Sequence, residues 1–295
     1  MIIHLFGSNT PVGAAFQHIY KLKGYQDIFL YSRKVNQENK NYCDMDDPYQ
    51  FSKKKLEKNS IIVSFTPIWV TAKFLMKLND YEPDFFENVE KIIICSSSSF
   101  LTKRFAFNKE DQSLFLKLKK SQDEIKRLCN LNKIKFTIIQ PTMVYGAFNN
   151  YEDKNFSFLL KIMRLLPFLI LPKRTGTRQP ISCYELANVT FQLVIKNKFF
   201  NIPDNEFLLI GGDKILSYKQ MIIALRDSTK KNDPARKCFL IEIPDLVFIF
   251  LAIPLLLFSS KSFESVLRIF ANLSNFKCQS EITNRNSVHF PDPYF

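Results

Sequence analysis

Along the first half of the chain, short runs that are apolar at nearly every position alternate with longer segments in which apolar residues recur every three to four positions. The continuous runs Ile2–Phe6, Ile28–Tyr31, Ile61–Phe65, Ile92–Cys95 and Phe136–Ile139 predict strands, and Phe207–Ile210 predicts a later one. Between them, Val12–Lys23, Val70–Leu78 and Gln112–Asn130 carry the helical period. Strands without polar alternation are those buried on both faces, so the order predicts an α/β fold, a doubly wound parallel sheet covered by helices. After Gly146 the rhythm breaks and Phe, Leu and Pro become frequent, which predicts a smaller, mostly helical lobe. The expected division is a sheet domain over 1–146, with returning segments near 178–212, and a second lobe over most of 147–295.

One segment departs from both patterns. Leu246 to Ser260 is uncharged, yet shorter than the ~20 residues that span a bilayer, and Pro254 interrupts it. It predicts a buried or interfacial helix rather than a membrane span, and leaves peripheral membrane contact open.

Charge changes the picture little. The 295 residues carry a net +13, which invites a nucleic-acid or membrane-surface reading, but lysine is scattered and its densest runs, Lys53–Lys55 and Lys117–Lys120, are short. No nucleic-acid motif accompanies the charge, so no nucleic-acid partner is expected. The six cysteines form no CxxC pair, which excludes a zinc module and fits a reducing cytoplasm. No secretory signal pattern opens the chain, and a monomer or homodimer in the cytoplasm is expected. His4 falls in the first strand and His18 in the first helix, where packing roles are expected.

Candidate chemistry begins at GSNTPVG, directly after the first strand. Gly7 at the strand end permits a sharp turn, and Gly13 inside the helix permits close packing on the sheet. The helix N-terminus then offers backbone N–H groups and a favourable dipole to a pyrophosphate, a Rossmann-type arrangement. Thr10 stands where the usual middle glycine would be; its side chain adds bulk beside the phosphates, while Ser8, Asn9 and Thr10 can donate hydrogen bonds. Val12 completes the turn. The second strand ends in YSRK, where Arg33 and Lys34 suit a 2′-phosphate, so NADP is expected in preference to NAD. Asp44, in CDMDD, follows a short extended segment and could meet an adenine edge.

Taken with VSFTP, IICSSSS, IIQPTMVYG, RQPISCYELANV, FLLIGGDKILSYKQM and HFPDPYF, this turn resembles the short-chain dehydrogenase/reductase superfamily in its extended form, the NAD-dependent epimerase/dehydratase family. Five of the seven glycines (Gly7, Gly13, Gly146, Gly211, Gly212) fall on motif positions. The resemblance implies a dinucleotide held also by Thr66, Pro67, Ser96, Ser97, Gln140, Pro141 and Thr142. It implies a substrate site at Ser98, Ser99, Tyr145, Arg178 and Gln179, where Arg178 could pair with a sugar-nucleotide diphosphate. The family's catalytic set is a Ser or Thr, a Tyr, and a Lys four residues on. Ser98 matches the first, with Ser97 and Ser99 as alternatives. Reading back from Glu124 puts Lys120 at the Lys position, catalytic and cofactor-binding, and Leu116 at the Tyr position. No tyrosine lies between Tyr81 and Tyr145, so the motif lacks its proton-transfer group. Two functions stay open: an NAD(P)-binding epimerase, dehydratase or oxidoreductase acting on a nucleotide-sugar or related hydroxyl substrate, and a silent nucleotide-binding scaffold with a partner or membrane-surface role. No metal site is expected.

Overall fold

The computed structural model describes residues 1–33, 41–53, 55–195, 204–283 and 286–291. Eight parallel strands form one sheet: β1 (Ile2–Phe6), β2 (Ile28–Ser32), β3 (Asn41–Tyr42), β4 (Ser60–Ser64), β5 (Val89–Cys95), β6 (Lys135–Pro141), β7 (Glu206–Gly211) and β8 (Lys277–Cys278). Their order is β3-β2-β1-β4-β5-β6-β7-β8, so the winding reverses between β1 and β4. Leu5 pairs with Leu30 on one side and with Val63 on the other, which fixes the register at that reversal. All five residues of β4 are buried, as expected of a strand covered on both faces, and its terminal serines are hydrogen-bonded.

Two hydrophobic layers sandwich the sheet. On one face α1 (Pro11–Leu22) packs against α6 (Cys183–Ile195), burying Phe16, Ile19, Leu186 and Phe191 over Ile3, Leu5 and Val63. On the other, α2 (Ile68–Tyr81) packs against α4 (Lys109–Leu131), burying Phe74, Leu75, Leu118 and Ile125 over Phe6, Ile62 and Phe136. A single turn, α3 (Ser99–Thr102), joins β5 to α4. The Asn108 side chain starts α4 by accepting from the Asp111 N–H at 2.9 Å, satisfying one of the donors a helix start leaves open.

The second lobe has its own core of Tyr145, Phe156, Met163, Met221 and Leu225. Around it lie α5 (Asn155–Leu165), α7 (Tyr218–Ser228) and a parallel ribbon that pairs Phe168–Pro172 with Phe239–Ile243. The Leu246–Ser260 segment is two short helices rather than one: α8 (Asp245–Ala252) stops before Pro254, whose ring cannot continue a helix interior, and α9 (Leu255–Phe258) follows. Only Phe248 and Ala252 of α8 are buried. A third helix, α10 (Ser260–Leu267), turns back toward α4. Among the described residues no helix is long and apolar enough to cross a membrane. His4 is a packing residue, its ring between Tyr31 Oη at 3.1 Å and Ser60 Oγ at 3.3 Å.

Candidate functional site

The turn after β1 is built from three interlocking atoms. Gly7 has φ of +79°, the left-handed region, and a Cβ there would lie 2.9 Å from the Phe65 carbonyl carbon. A Cβ on Gly13 would lie 2.2 Å from the Gly7 carbonyl oxygen, so α1 reaches the strand end only because this position is bare. Thr10 joins the two: its hydroxyl donates to the Gly7 carbonyl at 2.8 Å and accepts from the Gly13 N–H at 3.0 Å. It is the N-cap of α1, with Pro11 in the first helical position. The Thr10 hydroxyl proton is therefore spent inside the turn, which corrects the expectation of a donor free for phosphate. Asn9 Nδ2 donates to Ser32 Oγ at 2.8 Å and ties the turn to the end of β2. Ser8 is buried and lines neither of the cavities described next.

Two cavities of about 610 Å³ each meet at Thr10, on either side of the strand-order reversal. One opens over β2 and is lined by Gly7, Asn9, Ser32, Arg33, Asp44, Thr66 and Pro67. Arg33 is exposed at its rim, and Lys34 lies outside the described residues. Asp44 Oδ1 accepts from the Asp46 N–H at 3.0 Å. The other cavity is a cleft toward the second lobe, lined by Val12, Ser96, Ser97, Ser98, Ser99, Pro141 and Thr142. In it, Ser96 Oγ accepts from Gln122 Nε2 at 2.9 Å and Ser97 Oγ accepts from the Ser99 N–H at 3.1 Å. Ser98 opens α3 without capping it through its side chain. Cys95 also borders the cleft, but burial pushes its thiol up to about 12, which favours the protonated form.

Several expected site residues are employed elsewhere. Lys120 is 78% exposed, 3.9 Å from Glu124 on the solvent face of α4, and with Leu116 it borders a shallow outer depression instead of the cleft. The buried stripe of α4 runs through Leu118, Ser121, Gln122, Ile125 and Cys129. Two residues turn a helix by about 200°, so the 116–120–124 register points away from the sheet. The pairs four apart on the inward stripe are Leu118–Gln122, Ser121–Ile125 and Ile125–Cys129, none of them a Tyr–Lys pair, and α4 gives the cleft no side chain. Gln140 is buried and donates to Gln122 Oε1 at 3.0 Å, a second-layer support rather than a cleft residue. Tyr145 packs on Phe156 and Phe290 in the second-lobe core. The Thr142 hydroxyl donates to the Gln179 carbonyl. Gln179 reaches the cleft, but its amide is held by Gly212 O, Phe276 O and the Phe276 N–H. Arg178 also borders it, with its guanidinium donating to the carbonyls of Thr177, Arg268 and Ala271; burial lowers its pKa from the usual arginine value. Both act first as clasps for the C-terminal segment.

The structure adds residues that no sequence pattern marked. Lys103 Nζ and Arg268 Nη1 each lie 2.6 Å from opposite oxygens of Asp111, and both cations border the cleft. Asp111 is 1% exposed; burial would raise its pKa, but hydrogen bonds from Lys103, Asn108 and Arg268 outweigh that and hold it at about 2. Lys103 could have been suspected from its place just after SSSSFLT. Arg268 could not, since nothing local links it to a residue 157 positions earlier. Tyr218 is the one tyrosine among the described residues bordering the cleft; its ring lies under Arg178 at 5.2 Å, and burial raises its pKa.

No protein-family model matches the chain, and no curated protein matches it in sequence. Solved structures do match. Gre2 from Candida albicans superposes with a TM-score of 0.62 at 13% identity, covering 98% of this chain and 95% of that one. A nucleoside-diphosphate-sugar epimerase from Staphylococcus aureus gives 0.61 at 14%, covering 98% of each. UDP-glucuronic acid 4-epimerase from Bacillus cereus, in complex with NAD, gives 0.56 at 15%, covering 96% of each. The chain thus has the Rossmann-type α/β fold of these proteins from end to end.

Proposed function

We propose that the chain binds a nicotinamide dinucleotide across the β1/β4 reversal and performs hydride-transfer chemistry on a hydroxyl- or carbonyl-bearing substrate, with nucleotide-sugars the favoured class. One observation carries this: two cavities meet at a Gly7–Thr10–Gly13 turn that leaves no room for a Cβ at either glycine, at the place where open α/β sheets bind ligands. The names of the S. aureus and B. cereus neighbours point the same way.

The residues present fit such a cofactor. The α1 N-terminus would face the pyrophosphate, Thr66 and Pro67 would flank it, and Arg33 would meet the adenosine ribose, where a 2′-phosphate suits its charge. Asp44 would border the adenine, and Ser96 and Ser97 the nicotinamide end. When bound, the dinucleotide supplies or accepts the hydride. Ser98 would position the reacting oxygen, and Lys103 with Arg268 would face an anionic part of the substrate, their charge half-offset by Asp111. Tyr218 stays protonated, so it can give a proton to a developing alkoxide but is no resting base.

Calorimetry with NADP, NAD and a panel of nucleotide-sugars tests this. NADP should bind more tightly than NAD, and Arg33→Asp should erase the preference; equal, unaltered affinities overturn the NADP assignment. Turnover should fall ~10²-fold or more in Ser98→Ala and Tyr218→Phe with cofactor binding intact. A second reading, a silent nucleotide-binding scaffold, is favoured by one fact: α4 sends neither Tyr nor Lys to the cleft. Tight dinucleotide binding without turnover on any panel member would establish it.

A further inference from the structure

We infer that the face formed by α8, α9 and the second-lobe ribbon docks on an anionic lipid surface. The ribbon register pairs Phe168 with Phe239 and Ile170 with Ile241, which puts all four side chains on one face. That face is turned outward: Phe239 is 72% exposed and the other three about 40%. The intervening Leu169 and Leu240 pack inward on the lobe core. Against this ribbon lies α8, which exposes Leu246, Phe250 and Leu251, and then α9, whose Leu257 and Phe258 are each 86% exposed. Monomeric soluble proteins rarely leave so many large apolar side chains contiguous without a partner. Between α8 and the ribbon runs an apolar groove of about 370 Å³, lined by Ile170, Phe248, Leu251, Leu255 and Ile269. Its lining residues Tyr218 and Ile269 also border the cleft, so the cleft opens beside this face.

Charge selects the occupant. From Leu246 to Phe263 the one charged residue is Lys261. Lys173, Arg174 and Lys219 stand at the edge; Arg174 is paired with Asp245 and Lys219 with Glu242, so this edge carries a net charge of +1, to which Lys261 adds. A second copy of the chain would bring another net +13 to the same place, which opposes self-association. A negatively charged bilayer attracts that charge and accepts Phe, Leu and Ile side chains into its interface. The inference does not depend on the proposed function, since it uses none of the cofactor-facing residues.

The test is flotation of the full chain with vesicles of phosphatidylcholine alone or with about one-third phosphatidylserine. Wild type should partition to the anionic vesicles on the order of tenfold more strongly than to neutral ones, and lose most of that in high salt. Leu257→Asp with Phe258→Asp, and separately Phe239→Ser with Ile241→Ser, should each reduce partition on the order of tenfold; the first at unchanged Tm, because both side chains are 86% exposed, and the second with a small loss of Tm, because Ile241 is more than half covered. Phe258→Trp in a Trp69→Phe background should show a blue-shifted emission quenched by brominated lipid. Absent vesicle binding, or binding indifferent to both double variants, overturns the inference. So does loss of a concentration-dependent dimer in the Asp variant, which would make a second copy the occupant.

Discussion

The two flanks of the crevice are held together by different means. On the β1 side, everything turns on backbone proximity: Gly13 sits under the Gly7 carbonyl, and the Thr10 hydroxyl bridges both. On the second-lobe side, side chains do the work, through the Lys103–Asp111–Arg268 bridge and the guanidinium of Arg178 on three carbonyls. A backbone cradle depends on a few residue identities close in sequence. A side-chain clasp joins residues far apart, and its ends could in principle be exchanged for other polar pairs. The first is legible in a sequence and the second is not.

The largest effect should come from filling the cradle. Gly13→Val would force α1 off the strand end and should cost about 3 kcal/mol or more, since overpacking against backbone has no flexible side chain to yield. Urea unfolding measures it, and a cost below about 1 kcal/mol would mean that the turn relaxes freely. Next is the clasp. Asp111→Asn leaves two cations facing each other and should destabilise by roughly 2–3 kcal/mol, less than a fully buried pair because both partners border the cleft. The pH dependence has a definite sign. Asp111 has a folded pKa near 2 against a reference of 3.8, so its contribution is complete above about pH 4 and lost as pH falls through about 2. The Asn variant should lack that part of the acid transition; an identical acid limb in both proteins would remove Asp111 from the clasp.

A smaller effect separates cap from ligand at the turn. Thr10→Ala should lose about 1 kcal/mol of stability and Thr10→Gly only a few tenths, the usual order for a helix N-cap. Chemical denaturation of the two variants checks this. If cofactor affinity instead falls far more than stability in both, the hydroxyl also serves the phosphates. The smallest change is expected at Leu116 and Lys120. Leu116→Tyr and Lys120→Ala lie on the outer face of α4 and should alter stability by under about 0.5 kcal/mol and turnover not at all. A gain of activity in Leu116→Tyr would show that α4 rotates relative to the arrangement described.

How far the sequence could be read follows from the same contrast. Largely apolar runs marked the six longest strands of the main sheet, because burial on both faces disfavours polar residues there, and the exceptions, such as His4 and Gln140, are hydrogen-bonded. They missed β3 and β8, two residues each, which are too short to carry a pattern, and the ribbon strands Phe168–Pro172 and Phe239–Ile243, whose apolar runs fall in a stretch where Phe, Leu and Pro are frequent throughout. Gly7 and Gly13 were legible because steric exclusion acts at fixed spacing. Lys120 was misplaced because the motif was matched by residue type and spacing alone. The inward stripe through Leu118, Ile125 and Leu128 was already written in the amphipathic pattern and would have put 116 and 120 on the opposite side. Arg178 was foreseen near the cleft, yet its three carbonyl partners could not be, since they lie on the preceding residue and on a segment about ninety positions later.

That distant clasp has a consequence for how the protein is made. Strand β7 gains its outer neighbour only when Lys277 and Cys278 pair with Ile210 and Gly211. Gln179 and Arg178 likewise wait for Phe276, Ala271 and Arg268 to satisfy them. During synthesis at about 5–20 residues per second, β7 therefore emerges several seconds before the chain that completes it. Through that interval the nascent sheet offers an open, apolar edge of the kind that recruits other strands. A ribosome-bound chain long enough to bring Gly211 but not Lys277 out of the exit tunnel should accordingly be a chaperone client, and one extended until Cys278 is clear of the tunnel should not.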